Sequence, residues 1–235
     1  MNYKKPLYTT IIASIFFGNI VCALSLQETT FNNVDFVVVE VSNEDPLQLY
    51  WKQPNIDQAY QSLNNLVKTL AKQKTDVLFA INSGIFSKDQ KPLGWHVEQS
   101  ERLQPLNLVK RKDAIGNFSL IPNGVFFIDK NNQRYVMETE TFLKQQQSFN
   151  VTYATQSGPM LIIDGQLHPK FYPSSDSLKY RSGVCVKDNS TYFAVTQNPI
   201  NFYYFAKFFQ TELKCTNALY LDGTLSQLYY KGRIY

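Results

Sequence analysis

Four consecutive apolar residues, Ala218-Leu219-Tyr220-Leu221, run straight into Asp222-Gly223 and the hydroxylated residues Thr224 and Ser226. A run of this kind fits a strand buried on both faces. Such a strand needs partners on both edges and a layer over each face, so it dictates much of what the remaining chain must provide. Asp-Gly ends it sharply and leaves a carboxylate at the strand end, where sites are commonly built. The plain alternative is a hairpin turn, because Asp-Gly is a strong turn signal.

Partner strands are available along the chain. Residues 36–41 are β-branched and read as the first strand of the fold. Residues 47–51 alternate, 77–81 form a buried run, and 94–98 read as a strand. Residues 118–121 and 125–128 are expected to pair around Pro122-Asn123-Gly124. Residues 154–156 lead to Ser157-Gly158-Pro159, then to a strand at 160–163 and a turn at Asp164-Gly165. Residues 181–186 and 192–196 read as a hairpin.

Helical spacing is clearest at Ile56, Ala59, Tyr60, Leu63, Leu66, Val67 and Leu70, with Asn55 as N-cap. Its polar opposite face predicts a helix that covers a sheet and meets water. Thr139 is placed to cap a short helix through Gln146. Asn198-Pro199 has the form of a cap and first helical residue, and the body at 202–209 is aromatic nearly all round. That body should be buried against the central sheet. No repeat or linker interrupts the chain. The expected fold class is therefore α+β: a single domain over residues 31–235, with a mixed, largely buried β-sheet covered by two long helices.

Composition supports a packed domain. The chain has 235 residues, 44% hydrophobic and only 18% charged, with 15 Tyr and 17 Phe. The formal net charge of +4 includes Lys4 and Lys5, and no basic stripe points to nucleic acid. Lys4 and Lys5 precede an apolar stretch from Ile11 to Leu24, and Val21-Cys22-Ala23 suits cleavage after Ala23. Residues 1–23 thus read as a signal peptide, and the mature protein as periplasmic or secreted, with no stable membrane span once the signal is removed. The rival readings are a membrane anchor, for which the run is short, and lipidation at Cys22, for which Val21 is bulky. Cys185 and Cys215 remain in the mature chain. They are free to pair in an oxidising compartment, but the reading favoured here is two separate buried thiols.

Three apolar strands end in similar small or polar residues: Asn82-Ser83-Gly84, Thr155-Gln156-Ser157-Gly158 and Asp222-Gly223-Thr224. If these ends meet, Gly84, Gly158 and Gly223 let backbone approach a ligand and offer N–H groups to an anion. Arg181-Ser182-Gly183 adds a guanidinium suited to bidentate phosphate contact. Taken singly, each glycine is explained by a turn, and Arg181 by a surface ion pair. G-x-S-x-G, Walker and HExxH motifs are absent, and His96 and His168 lack metal-ligand spacing. Neither a metal nor another cofactor is expected. His168 reads as a loop residue. His96 reads as packed in or beside a sheet, with Glu98 two residues on.

The order of these segments resembles the phosphodiester glycosidase family, most closely a short bacterial branch. The resemblance runs over residues 77–229 through INSGIF, PLGWHVEQSERLQPLN, GNFSLIPNGVFFID, ATQSGPMLIIDG, RSGVCV, NPINFYYFAKFF and CTNALYLDGTLSQLY. Asn82 and Gly84 match the family's N-x-G-x-F turn, Ser157-Gly158-Pro159 its S-G-P segment, Arg181 its R-[ST] position, and Asp222-Gly223 its D-G turn. Ser83, Cys185 and Thr224-Leu225 depart from the usual pattern.

The resemblance implies an exported hydrolase that cleaves a sugar-1-phosphodiester to free sugar and phosphomonoester. A phosphate leaves as a weakly basic anion, so the main needs are a carboxylate near the anomeric carbon and positive charge or N–H dipoles on the phosphate. Asp222 is expected as nucleophile or general base, and Glu98 as the second carboxylate. Arg181, with the backbone around Gly158 and Gly223, would hold the phosphate. Asn82, Gly84, Ser157 and Thr224 complete the substrate-binding set. The expected partner is a small-molecule or glycan phosphodiester. The competing expectation is a non-catalytic periplasmic protein that binds glycan or phosphate in the same pocket.

Overall fold

The structure, a computed structural model, describes residues 24–53, 56, 58–87, 89–108, 118, 120–221 and 226–235. It corrects the expected fold class. Among the described residues the protein is mostly β: three antiparallel sheets and three short helices, with no parallel pairing and no long helical cover.

A seven-stranded sheet has the order β1-β2-β12-β11-β13-β9-β10. Its strands are β1 (Ser25–Phe31), β2 (Val34–Ser42), β9 (Met160–Ile163), β10 (Gln166–Leu167), β11 (Ser182–Lys187), β12 (Ser190–Thr196) and β13 (Ala218–Tyr220). As its apolar run requires, β13 is wholly buried, between β11 and β9. The β11–β12 hairpin also forms, from Ser182↔Val195 to Lys187↔Ser190. A five-stranded sheet runs β5-β4-β8-β6-β7, from β4 (His96–Glu98), β5 (Glu101–Gln104), β6 (Gly124–Asp129), β7 (Arg134–Glu138) and β8 (Val151–Ser157). The third sheet is small: β3 (Phe79–Ile81) pairs with β14 (Leu228–Tyr230), and β14 with β15 (Arg233–Ile234).

The two large sheets face each other across a dry layer containing Val37, Val39, Phe126, Ile128, Val184 and Phe193. Alternation along each strand sends the intervening residues to the outer faces. On the seven-stranded sheet, Phe36, Ala194 and Tyr220 pack with Phe205 and Phe209 of helix α3 (Phe202–Thr211). On the five-stranded sheet, Val97, Val125, Phe127 and Ala154 pack with Phe142 of helix α2 (Thr139–Gln145). Burying aromatic rings on this scale supplies most of the cohesion, at about 25 cal/mol per Å² of apolar surface removed from water. The two sheets are also tied by the buried Arg134, which donates to the Val41 carbonyl (3.2 Å) and to the Asp45 carbonyl. Burial pulls its pKa down to about 10.

Several local expectations change. The strand at 36–41 is present within β2, but β1 precedes it and pairs with it from Ser25↔Glu40 to Phe31↔Val34. The predicted helix from residue 56 starts later, as α1 (Leu63–Lys72), where the Ser62 hydroxyl accepts from the Asn65 N–H (3.2 Å). Its intended first turn is used elsewhere: Ala59 bridges Lys52, and the Tyr60 N–H donates to the Trp51 carbonyl. The intended cap, Asn55, lies outside the described residues. Only Leu70 of α1 is fully buried, so this helix does not cover a sheet.

Helix α3 is capped by Asn201, whose Oδ1 accepts from the Tyr204 N–H (3.0 Å); Asn198 instead accepts from the Asp35 N–H. Helix α2 is capped by the Glu138 carboxylate rather than by Thr139. Residues 47–51 form no strand, and β6 pairs with β7 and β8, not with 118, 120 or 121, Ser119 lying outside the described residues. Cys185 and Cys215 form a disulfide, against the reading of two separate thiols. The expected signal peptide at 1–23 lies outside the described residues, and no helix among those described is long and apolar enough to cross a membrane.

Candidate active site

Two of the three polar strand ends, 82–84 and 155–158, lie together. Asn82 follows directly on β3, and its Nδ2 donates to the Ser182 hydroxyl at the start of β11 (3.1 Å). Its Oδ1 accepts from the Gln227 N–H (3.1 Å). The Leu221 N–H, just past β13, donates to the Ser182 carbonyl (2.9 Å). Ser182 and Asn82 therefore hold the two residues between which the 222–225 stretch runs. Asp222, Gly223 and Thr224, all expected in the site, lie outside the described residues.

Gly84 lies against β8. Its N–H donates to Thr155 Oγ1 (3.1 Å), and a Cβ there would overlap that oxygen and sit 2.5 Å from the Gln156 carbonyl oxygen. Only glycine permits this approach. Ser157 ends β8 and is fully buried, and its hydroxyl has no hydrogen-bond partner among the described residues. Gly158 turns the chain towards Pro159, whose carbonyl accepts from the Tyr220 N–H (3.1 Å). Asn82, Gly84, Ser157, Gly158 and Ser182 thus gather around the ends of β3, β8, β11 and β13.

Glu98 lies on the same inward face of β8's sheet. The register pairs His96 with Thr155 and Val97 with Ala154, so His96 shares a face with Thr155, and Glu98 with Tyr153. His96 Nε2 and Glu98 Oε1 are 2.8 Å apart. The His96 side chain is 1% exposed and that of Glu98 is 19%, while His96 Nδ1 is buried without a partner among the described residues. An unpaired buried polar atom is costly, which makes this dyad a stronger site candidate than the sequence suggested. The two-residue spacing was the signal for it: on a strand, i and i+2 share a face.

Arg181 is placed differently. Ser182 points between the sheets, whereas Arg181 points towards α3. Its guanidinium stacks on Phe202 (3.6 Å), and it donates to the carbonyls of Ile200 (2.7 Å) and Ser177 (2.9 Å). Burial lowers its pKa, partly offset by Tyr220. The structure does not bring the guanidinium to Asn82 or Glu98 through any hydrogen bond among the described residues.

Two further residues stood in the polar strand end read from the sequence but were given no role there. Gln156, almost wholly buried, accepts from the N–H groups of Trp95 (3.0 Å) and Asn107 (2.8 Å) and donates to the Asn107 carbonyl (2.9 Å). It ties the 92–107 segment to β8 from the α2 side. Thr155 anchors the Gly84 turn on the opposite face. A hollow of about 230 Å³ lined by Trp95, Val97, Arg102, Leu106 and Val151 opens on the α2 side and is not part of this constellation. No group of three or more His, Cys, Asp or Glu residues among those described is arranged to hold a metal.

Comparison with known proteins gives one family. Residues 75–234 match the model of the phosphodiester glycosidase family. The chain is 33% identical over 187 residues to the uncharacterised Escherichia coli (strain K12) protein YigE, spanning 79% of this chain and 70% of that one. It superposes on the catalytic domain of zebrafish N-acetylglucosamine-1-phosphodiester alpha-N-acetylglucosaminidase, auto-inhibited by its pro-peptide, with a TM-score of 0.61. That match has 17% identity and covers 90% of this chain and 74% of the zebrafish one. A hypothetical protein from Synechocystis matches with a TM-score of 0.57 at 15% identity, over 90% of this chain and 58% of that one. These two structural likenesses concern the fold.

Proposed function

This chain belongs to the phosphodiester glycosidase family, and from that premise we propose that it is an exported hydrolase that cleaves a sugar-1-phosphodiester to free sugar and phosphomonoester. The observation that carries the reading is the meeting of polar strand ends at Asn82, within the family-matched stretch. Asn82 is held by Ser182 on one side and Gln227 on the other, the two places between which Asp222 lies in sequence. A side chain with both ends of its amide engaged is preorganised to orient a ligand.

In this reading water attacks the anomeric carbon, either directly or after Asp222 has displaced the phosphate to form a glycosyl ester, and the C1–O bond breaks. The bonding electrons leave with the phosphate oxygen, and a carboxylate takes the water's proton. Asp222 is the proposed nucleophile or general base, and Glu98, oriented by His96, the second carboxylate. Backbone N–H groups around Gly158 and Gly223, with Ser157 and Thr224, receive the phosphate; Gly84 keeps the turn close enough for Asn82 to reach it. Arg181, turned towards α3, stays out of the phosphate contacts and holds the strand end from behind. An oxidising compartment, periplasmic or extracellular, accords with the Cys185–Cys215 disulfide.

The zebrafish protein's name suggests the first probe, an N-acetylglucosamine-1-phosphodiester, with a UDP-sugar beside it. Mass spectrometry of the purified protein with each should show free sugar appearing together with phosphomonoester. Binding of either compound without turnover would favour the non-catalytic alternative.

A further inference from the structure

The family-matched stretch begins at residue 75, yet part of the chain before it closes around Glu98. Residues 50–52 and 59–60 are laid side by side, through the Lys52↔Ala59 bridge and the Tyr60 N–H to Trp51 carbonyl bond (3.1 Å). The Tyr50 and Tyr60 rings meet edge to face at 6.2 Å, and Trp51 meets the His96 ring at 6.1 Å. The Trp51 indole N–H is fixed on the Gln90 carbonyl (2.7 Å). Beside Glu98, the register of β4 and β8 places Tyr153.

Aromatic side chains and one accessible carboxylate are thus gathered in one place. Two polar groups there lack partners among the described residues: the Tyr60 hydroxyl and His96 Nδ1, on residues 5% and 0% exposed. Burial raises the pKa of Tyr50, Tyr60 and Tyr153, and the charge of Glu98 adds to all three. The Tyr50 hydroxyl donates to Gln48 Oε1 (2.6 Å), and its oxygen remains an acceptor. The same sheet face continues from Tyr153 through Thr155 to Ser157. At two residues per step that is roughly 13 Å, about the span of a pyranose ring followed by a phosphodiester.

We propose that Tyr50, Tyr60 and Tyr153, with the Glu98–His96 pair, form a subsite for an uncharged pyranose, the sugar end of the phosphodiester whose phosphate end lies at Ser157–Gly158. This rests on the hydrolase reading above and adds which end of the substrate lies where. Ring C–H faces pack on phenol rings, and sugar hydroxyls meet the free carboxylate oxygen and the phenol O–H groups. A uronic acid or a sugar bearing a second phosphate is excluded by the like charge of Glu98. Residues 50–52 and 59–60 are then the part of this chain that selects the sugar.

The test is saturation-transfer NMR on the full mature protein with a panel of methyl α-pyranosides: gluco, manno, galacto, N-acetylglucosaminide and glucuronide. At least one uncharged member should bind and the glucuronide should not. Tyr50→Ala should weaken binding roughly tenfold, as loss of a ring contact and its buried area predicts. Tyr60→Phe should weaken binding without lowering the melting temperature, because its hydroxyl has no partner to lose; a merely structural Tyr60 would lower it. Glu98→Gln should reduce discrimination against the glucuronide. If no uncharged member binds, or binding is unchanged in Tyr50→Ala and Tyr60→Phe, the subsite is wrong. This readout needs no turnover: binding without hydrolysis defeats the hydrolase reading alone, whereas hydrolysis with an unaltered KM in both tyrosine variants defeats the subsite alone.

Discussion

Two buried histidines stand in opposite conditions. His168 follows β10 and stacks on Phe171 at 4.6 Å. One ring nitrogen, Nε2, donates to the Ile121 carbonyl (3.1 Å), and the other, Nδ1, accepts from the Lys170 N–H (3.2 Å). Every polar atom of that ring is used, and burial keeps it neutral by lowering its pKa. His96 is equally buried, but it meets a carboxylate at one nitrogen and no described residue at the other. A saturated polar group holds loops in place. An unsaturated one carries a cost that folding does not explain, and such groups collect at sites. Arg181 and Ser157 repeat the contrast in the two facing sheets: the guanidinium has a ring and two carbonyls, and the hydroxyl has no partner among the described residues.

The sharpest way to break this contrast is to remove site groups. Asp222→Asn and Asn82→Ala should each slow sugar release by about 10²-fold or more, with Asn82→Ala changing denaturant stability far less than the rate. Equal losses in rate and stability would make Asn82 a packing residue. Arg181→Met tests the other category. Two hydrogen bonds and a ring stack are lost, so urea titration should show a stability loss of about 2–3 kcal/mol.

His168 predicts a pH effect of definite sign. Its folded pKa lies below the ordinary 6.5. The stability it contributes is therefore whole above pH 6.5 and is lost as pH falls from there towards the lower folded value. His168→Gln should flatten that part of the acid limb of a melting-temperature profile. The smallest effect belongs to Ser157→Ala. Stability should stay within about 0.5 kcal/mol of the parent, because no hydrogen bond is broken, while turnover falls.

Much of the sandwich was legible in the sequence wherever a strand carried an unbroken apolar run. The core runs of β2, β6, β9 and β13 and the β11–β12 hairpin are where the residue pattern puts them. Strand direction was not legible. Interleaved strands and helices suggested crossovers, yet the connections return antiparallel, and no periodicity encodes that. Strand β1 was missed because SLQETTF is an edge strand with four of its seven residues exposed, so it has no core signal. The helix start was misread because Ala59 and Tyr60 are apolar for a different purpose, pairing with residues 51 and 52.

The disulfide joins positions 30 residues apart with no motif between them. In the site, Asn82, Gly84 and Ser157 stood out as residue types at strand ends, whereas the His96–Glu98 pair became meaningful only once both were known to face inward. Arg181 shows the limit of reading by type. Guanidinium chemistry suits phosphate, but the parity of β11 turns this one towards α3.

The claim on which the rest depends is that the C1–O bond breaks, not the P–O bond. Hydrolysis of an N-acetylglucosamine-1-phosphodiester in ¹⁸O-labelled water, with mass analysis of the phosphomonoester at early times, decides it. The account predicts an unlabelled phosphomonoester, because water adds to the sugar carbon. A phosphomonoester carrying one ¹⁸O would mean attack at phosphorus and would contradict the glycosidase reading of this site.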